Sequence, residues 1–294
     1  MNDTGPNRLD PFEWKRVNYM GQNRVMPMRD GRIFSSDDAT IHPKDVHIIG
    51  SATEAEINAH LGRVERAIDN EYDRVVVEPV RLWTNTSIPY VIDPAMPAET
   101  VIAIKQAVNE WNERTHFRFD YVSNGKHRII FKPNPSGCSA DMGMPRSGEV
   151  GEVRLALTCD KQSVIHEIGH VVGLQHQHQH LDRSKAIIIR DDSMAYIKGN
   201  YSKRLYGMTI HNLQPIASNP GDTFQYDIRS VMHYGSYPRN AVDLAQDLRS
   251  RRLPFFTERS GKEVERPTFG LTDKDIKLVA RMYSLRTLSL LGIQ

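Results

Sequence analysis

The sequence predicts a mixed α/β fold, and three observations predict it. Apolar residues recur at helical spacing in long stretches, short strand-like runs lie between those stretches, and a further helix opens near Lys161 directly after the last run. At 294 residues with 39% hydrophobic content, the chain has enough apolar surface for one large core or two modest ones.

Residues 1 to about 44 are rich in Gly, Pro, Asn and Asp without sustained periodicity, and read as extended or irregular chain. A helix is expected over 54–72, where Ile57, Leu61, Val64 and Ile68 form one apolar stripe behind a Thr53/Glu56 capping-box pattern. The run Ser87-Ile88-Pro89-Tyr90-Val91-Ile92 reads as a strand, and Val101, Ile104, Val108 and Trp111 place a helix over 98–114. Short strands follow at 117–122, 128–131 and 153–157. Beyond Leu174 the chain reads as loop until a closing helix over 272–283, opened by Thr272 or Asp273. The division expected is 1–77 as a pro-segment or accessory region and 78–294 as the main domain.

The balance of 38 Lys+Arg against 36 Asp+Glu, without a long run of like charge, gives no footprint for nucleic acid or a membrane surface. No apolar stretch approaches the length of a membrane span. The first 20 residues are polar and charged where a secretory signal would carry an apolar segment. Cys138 and Cys159 could form one disulfide or be two unrelated thiols; composition leaves both open.

The informative segment is His166-Glu167-Ile168-Gly169-His170-Val171-Val172-Gly173-Leu174-Gln175-His176. Residues four apart lie nearly above one another on an α-helix, so His166 and His170 can aim two imidazoles at one point. His176 follows six residues later, and a continued helix would turn it about 120° away. The helix must therefore stop, and Gly173 supplies the left-handed conformation that stops it and returns His176 to the same point. Three neutral imidazoles with a fourth position open describe a catalytic zinc site, whereas a structural one closes that position with protein. Glu167, beside the first histidine, stands where it can act as general base on water without entering the coordination shell. The segment Ser230-Val231-Met232-His233-Tyr234, taken alone, reads as a half-buried strand or turn.

Together, HEIGHVVGLQH and SVMHY resemble the metzincin zinc peptidases, and among them the astacin family. Arg81 to Asn85 with Ile88-Pro89-Tyr90, and Leu271 to Ile276 with Met282-Tyr283, look like the beginning and end of an astacin catalytic domain. The resemblance implies a two-subdomain zincin with a mixed twisted sheet, a zinc helix and a C-terminal helix. It implies a single Zn2+ on His166, His170 and His176, Met232 as the Met-turn below the metal, and Tyr234 as a swinging extra ligand and transition-state stabiliser. It also implies a Cys138–Cys159 disulfide. The expected activity is endopeptidase, acting as a monomer on a protein or peptide in extended conformation that pairs with an edge strand around 139–144. The competing class is a latent or non-cleaving zinc-stabilised protein-binding module of the same fold.

Departures from the family pattern carry their own expectations. His116 and Leu285 stand where a second disulfide would be, so closure must rely on packing. Gln177 replaces a Glu that meets the amino terminus of the processed enzyme, and an amide holds an ammonium less strongly than a carboxylate does. His178 and His180 replace Gln and Arg and read as surface residues or supports of the ligands. Family proforms block zinc with an Asp in an FxGD motif; Phe34-Ser35-Ser36-Asp37 is the nearest match, which makes Asp37 the latency candidate. Family and disulfide together imply a secreted, extracellular setting.

Overall fold

A computed structural model describes residues 12–36, 38–69, 76–77, 80–123, 128–217, 225–239 and 241–290. The chain divides into two compact units. One holds residues 1–77, 178–217 and 234–266; the other holds 78–177, 218–233 and 267–294.

The second unit contains the mixed sheet. Its strands lie in the order Cys138–Asp141, Gly151–Leu155, Ile129–Pro133, Ser87–Ile92, Arg118–Tyr121. The first pair is antiparallel, with Cys138 opposite Leu155, and the remaining three pairings are parallel, with Gly151 opposite Ile129, Tyr90 opposite Ile129 and Ser87 opposite Arg118. Helix Ala98–Arg114 matches the expected bounds and buries Ile104, Val108 and Trp111. These join Ile88, Phe131 and Val153 of the sheet, Val164, Ile165 and Ile168 of helix Lys161–Val171, and Val279 and Met282 of helix Asp273–Leu290 in one core. The last helix opens with reciprocal caps, Asp275 N–H to Thr272 Oγ1 at 3.0 Å and Thr272 N–H to Asp275 Oδ2 at 2.9 Å.

Where a second disulfide was expected to be missing, aromatic packing is found. The Tyr283 ring meets Phe117 edge-on at 4.8 Å and His116 at 5.4 Å. The Cys138–Cys159 disulfide is present, with Cα atoms 6.1 Å apart. Among the described residues no helix is long and apolar enough to cross a membrane.

The other unit corrects the sequence reading. Residues 13–51 are not irregular: Arg32–Ile33, Gln22–Arg29, Glu13–Tyr19 and Val46–Ser51 form an antiparallel sheet in that order. A bulge between Arg16 and Val17 spaces the buried residues of the first strand as Trp14, Val17 and Tyr19, which breaks the two-residue alternation that reveals a strand. The turns Met20-Gly21 and Asp30-Gly31 have positive φ at both residues, as two-residue hairpins require.

The region after Leu174 likewise holds helices Asp191–Asn200, Lys203–Leu213 and Val242–Arg251. Every residue from Tyr206 to Leu213 is buried, so that helix has no polar face to give it a period. It packs on the expected helix Glu54–Asp69, where a Cβ on Gly207 would meet Trp14 at 3.0 Å and Leu61 at 3.1 Å. The Thr53/Glu56 capping box forms as expected.

Candidate metal centre

Helix Lys161–Val171 begins at Asp160, whose carboxylate accepts the Ser163 N–H at 2.8 Å, and every residue from Gln162 to Val171 is buried. Its end has the expected glycine. Gly173 takes φ +97°, its N–H donates to the His170 carbonyl at 2.9 Å, and Leu174 N–H donates to the Gly169 carbonyl at 2.9 Å, which is a Schellman closure. The carbonyls left over by the last turn are also met: Trp83 Nε1–H donates to Val171 at 2.7 Å and the Tyr283 hydroxyl donates to Val172 at 2.9 Å.

Termination at Gly173 brings His176 back to the helix. Its Nε2 lies 3.1 Å from the Nε2 of His166 and 3.1 Å from that of His170, and all three side chains are buried. The tautomers of two are fixed by their neighbours. His166 Nδ1–H donates to the Val231 carbonyl at 2.7 Å and His170 Nδ1–H to the Leu174 carbonyl at 2.9 Å. Since a carbonyl can only accept, Nδ1 carries the proton, and in the neutral ring Nε2 is left with the lone pair, facing His176.

This is the donor set of a cation. A tetrahedral zinc ion with Zn–N near 2.0–2.1 Å separates its nitrogens by roughly 3.3 Å, close to the spacing found. Glu167 is fully buried on the same helix, one residue from His166.

Met232 lies directly against the helix. A Cβ on Gly169 would stand 2.4 Å from its sulfur and 3.2 Å from its methyl carbon, so the glycine of HEIGH is required by the close approach of Met232. No role for Gly169 was drawn from the sequence, although a glycine inside a helix costs about 1 kcal/mol relative to alanine and so signals a reason for being there. Asp275 was also missed. Its buried carboxylate accepts from the Ser230 hydroxyl and from Val231 N–H at 3.0 Å, pinning the turn from the C-terminal helix. Burial pushes this carboxyl's pKa up, against the hydrogen bonds it accepts. Gln177 also ties into the turn, donating its N–H to the Met232 carbonyl at 3.0 Å and accepting Asp227 N–H on its side-chain oxygen at 3.0 Å.

The remaining expected residues fall in the other unit. The Tyr234 hydroxyl donates to Asp38, which is fully buried, and its ring stacks on His178 with centroids 4.4 Å apart. His178 is therefore no surface residue; it is 1% exposed and its Nε2–H donates to the Asn212 carbonyl at 2.9 Å. His180 is half-buried and accepts Asp182 N–H at 2.9 Å. Asp37 lies outside the described residues.

A helix offering two histidines one turn apart, a glycine turn returning a third, and a methionine packed against the same helix define a metallopeptidase of the metzincin kind. Comparison with known proteins gives the family. A model of the astacin peptidase family matches residues 75–284, and the chain belongs to that family of zinc peptidases. Tolloid-like protein 2 of Mus musculus is 26% identical over 288 residues, covering 96% of this chain and 25% of that protein. Bone morphogenetic protein 1 of Xenopus laevis is 30% identical over 174 residues, covering 58% of this chain and 23% of that protein. The chain thus spans about a quarter of the length of these relatives. A solved structure of high choriolytic enzyme 1, a hatching enzyme zinc-protease from Oryzias latipes, shares the fold with a TM-score of 0.54 at 22% identity, over 70% of this chain and 94% of that one.

Proposed function

We propose that this protein is a zinc-dependent endopeptidase in which His166, His170 and His176 hold one zinc ion and Glu167 is the general base. The observation that carries the reading is the placement of the buried His176 Nε2 at 3.1 Å from the Nε2 of both His166 and His170, with those two rings oriented by backbone carbonyls. Zinc at this point supplies a Lewis acid that polarises the scissile carbonyl and lowers the pKa of water to about 7. Glu167 takes a proton from the attacking water and delivers it to the departing amine, so no covalent acyl-enzyme is needed. Met232 supports the ligand helix from below. Substrate enters extended and pairs with a strand edge around 139–144, as a protein or peptide would.

Residues 1–77 act as a pro-segment or accessory region that keeps this form latent. Support comes from the Tyr234 hydroxyl, which is engaged by Asp38 of that segment. In the active form the phenol leaves this carboxylate and stabilises the transition state. Asp38 is the carboxylate we assign to latency, and Asp37, its neighbour in sequence, is the alternative. The Cys138–Cys159 disulfide fits a protein that works outside the cell.

The experiment is cleavage of a quenched-peptide library by the full chain, by the segment from residue 78 onward, and by each after chelation and zinc return. Metal-dependent cleavage by either form supports the reading. Cleavage that persists undiminished after chelation sinks it.

A further inference from the structure

The buried contacts behind His166 form a directed chain. His166 Nδ1–H donates to the Val231 carbonyl at 2.7 Å. The N–H of that same peptide unit, carried by Met232, donates to Ser230 Oγ at 3.0 Å. The Ser230 hydroxyl donates in turn to Asp275 Oδ1. Every donor points the same way, from the imidazole through a peptide and a hydroxyl to a carboxylate, and the residues that supply these groups' side chains are all buried.

Chains of this kind polarise one another. An anionic acceptor on Ser230 makes its oxygen a better acceptor for Met232 N–H, and a peptide whose N–H is drawn in this way has a more negative carbonyl oxygen. That oxygen holds the Nδ1 proton of His166 more strongly and leaves more electron density on Nε2. A metal-ligating histidine commonly donates its other N–H to a carboxylate, and this raises its basicity.

We infer that Asp275 is a positioning and tuning residue for the metal, acting on His166 through Ser230 and the Val231–Met232 peptide. The inference rests on the zinc reading above. Asp275 touches neither metal nor substrate; its second oxygen holds Val231 N–H and Thr272 N–H, which fixes the direction of the chain's far end.

The test is zinc affinity of the full chain, measured by chelator competition, together with the visible spectrum of the cobalt-substituted protein. Asp275→Asn keeps the shape and removes the charge. Ser230→Ala cuts the relay and leaves the helix cap at Thr272 intact. Each should weaken zinc binding by about tenfold to a hundredfold and shift the cobalt bands. The double variant should be no weaker than the weaker single one, since both break one path.

Thr272→Ala removes the capping hydroxyl and its contact with Asp275 but leaves the carboxylate and its bond to Ser230 in place, so it should lower Tm and weaken zinc binding less than either relay variant. Wild-type zinc affinity in Asp275→Asn and Ser230→Ala would overturn the inference, as would an equal weakening by Thr272→Ala, which would mark a merely structural effect. A wild type that takes up no zinc is a separate outcome, overturning the metal reading itself and the relay with it.

Discussion

A Cβ added to Gly169 would stand 2.4 Å from the sulfur of Met232, so the helix that carries His166 and His170 meets Met232 at its one position without a side chain. Gly169→Ala therefore sets two effects against each other. Alanine favours the helix by about 1 kcal/mol. Overpacking a closed core costs about 1–3 kcal/mol, and Met232 is fully buried. A net loss in urea unfolding is expected, with faster release of zinc, because the shifted methionine lies next to the residue whose carbonyl orients His166.

Gly173→Ala attacks the turn that returns His176. The backbone there has φ +97°, and a Cβ would also press on Leu82 at 3.0 Å and Val80 at 3.1 Å. A left-handed residue with a side chain costs about 1–2 kcal/mol before those contacts are counted. Zinc content by metal analysis should fall more than helicity by circular dichroism does, since the helix itself can survive while its third ligand is displaced.

Asp38→Ala removes the acceptor of the Tyr234 hydroxyl. Activity of the full chain toward a quenched peptide should rise, while the form beginning at residue 78 is unaffected by definition. Asp37→Ala in parallel distinguishes the two neighbouring carboxylates; a rise confined to the Asp37 variant would move the assignment to that residue.

The Cys138–Cys159 bridge joins residues 21 apart and should stabilise by about 3 kcal/mol through the entropy of the unfolded loop. The double serine variant should unfold at correspondingly lower urea, measured against the wild type with its disulfide intact.

The centre was legible in the sequence because each part has a local rule: i,i+4 for His166 and His170, a left-handed glycine for His176, a known segment for Met232. What lay behind it was not. Asp275 reaches Ser230 across 45 positions of chain, and no spacing rule connects a helix cap to a turn that far away. The same limit hid the first unit. The bulge at Arg16/Val17 erased the alternation of its first strand, and Lys203–Leu213 is buried on all sides of its last two turns. The Asp30-Gly31 dipeptide was the available hairpin signal, since few other pairs favour positive φ at both positions.

Acid should loosen that unit. It holds a half-buried His60 and a buried His211 with ring centroids 5.9 Å apart, both near Trp14. Burial pushes the His60 imidazole down to about 3, helped by the neighbouring His211 and Arg63, and pushes His211 down to about 4 against backbone hydrogen bonds at Ser35 and Phe34 that raise it, with Arg24 adding to the lowering. The folded state keeps both rings neutral, while the unfolded chain protonates them below about 6.5, so the unfolded state binds more protons. Stability is full above that pH and falls as the pH drops toward about 4 for His211 and about 3 for His60, by up to ~1.4 kcal/mol per pH unit for each histidine. Urea midpoints between pH 7 and pH 4.5 should show this slope, and His211→Phe should remove one proton's share of it.

The most direct test of the central claim is zinc stoichiometry and peptide turnover measured together on Glu167→Gln, in whichever form of the chain cleaves as wild type. Glu167 is assigned proton transfer and no metal bond, so the variant should hold one zinc per chain as the wild type does and lose at least about a hundredfold in kcat. Turnover at the wild-type rate with zinc in place would contradict the account.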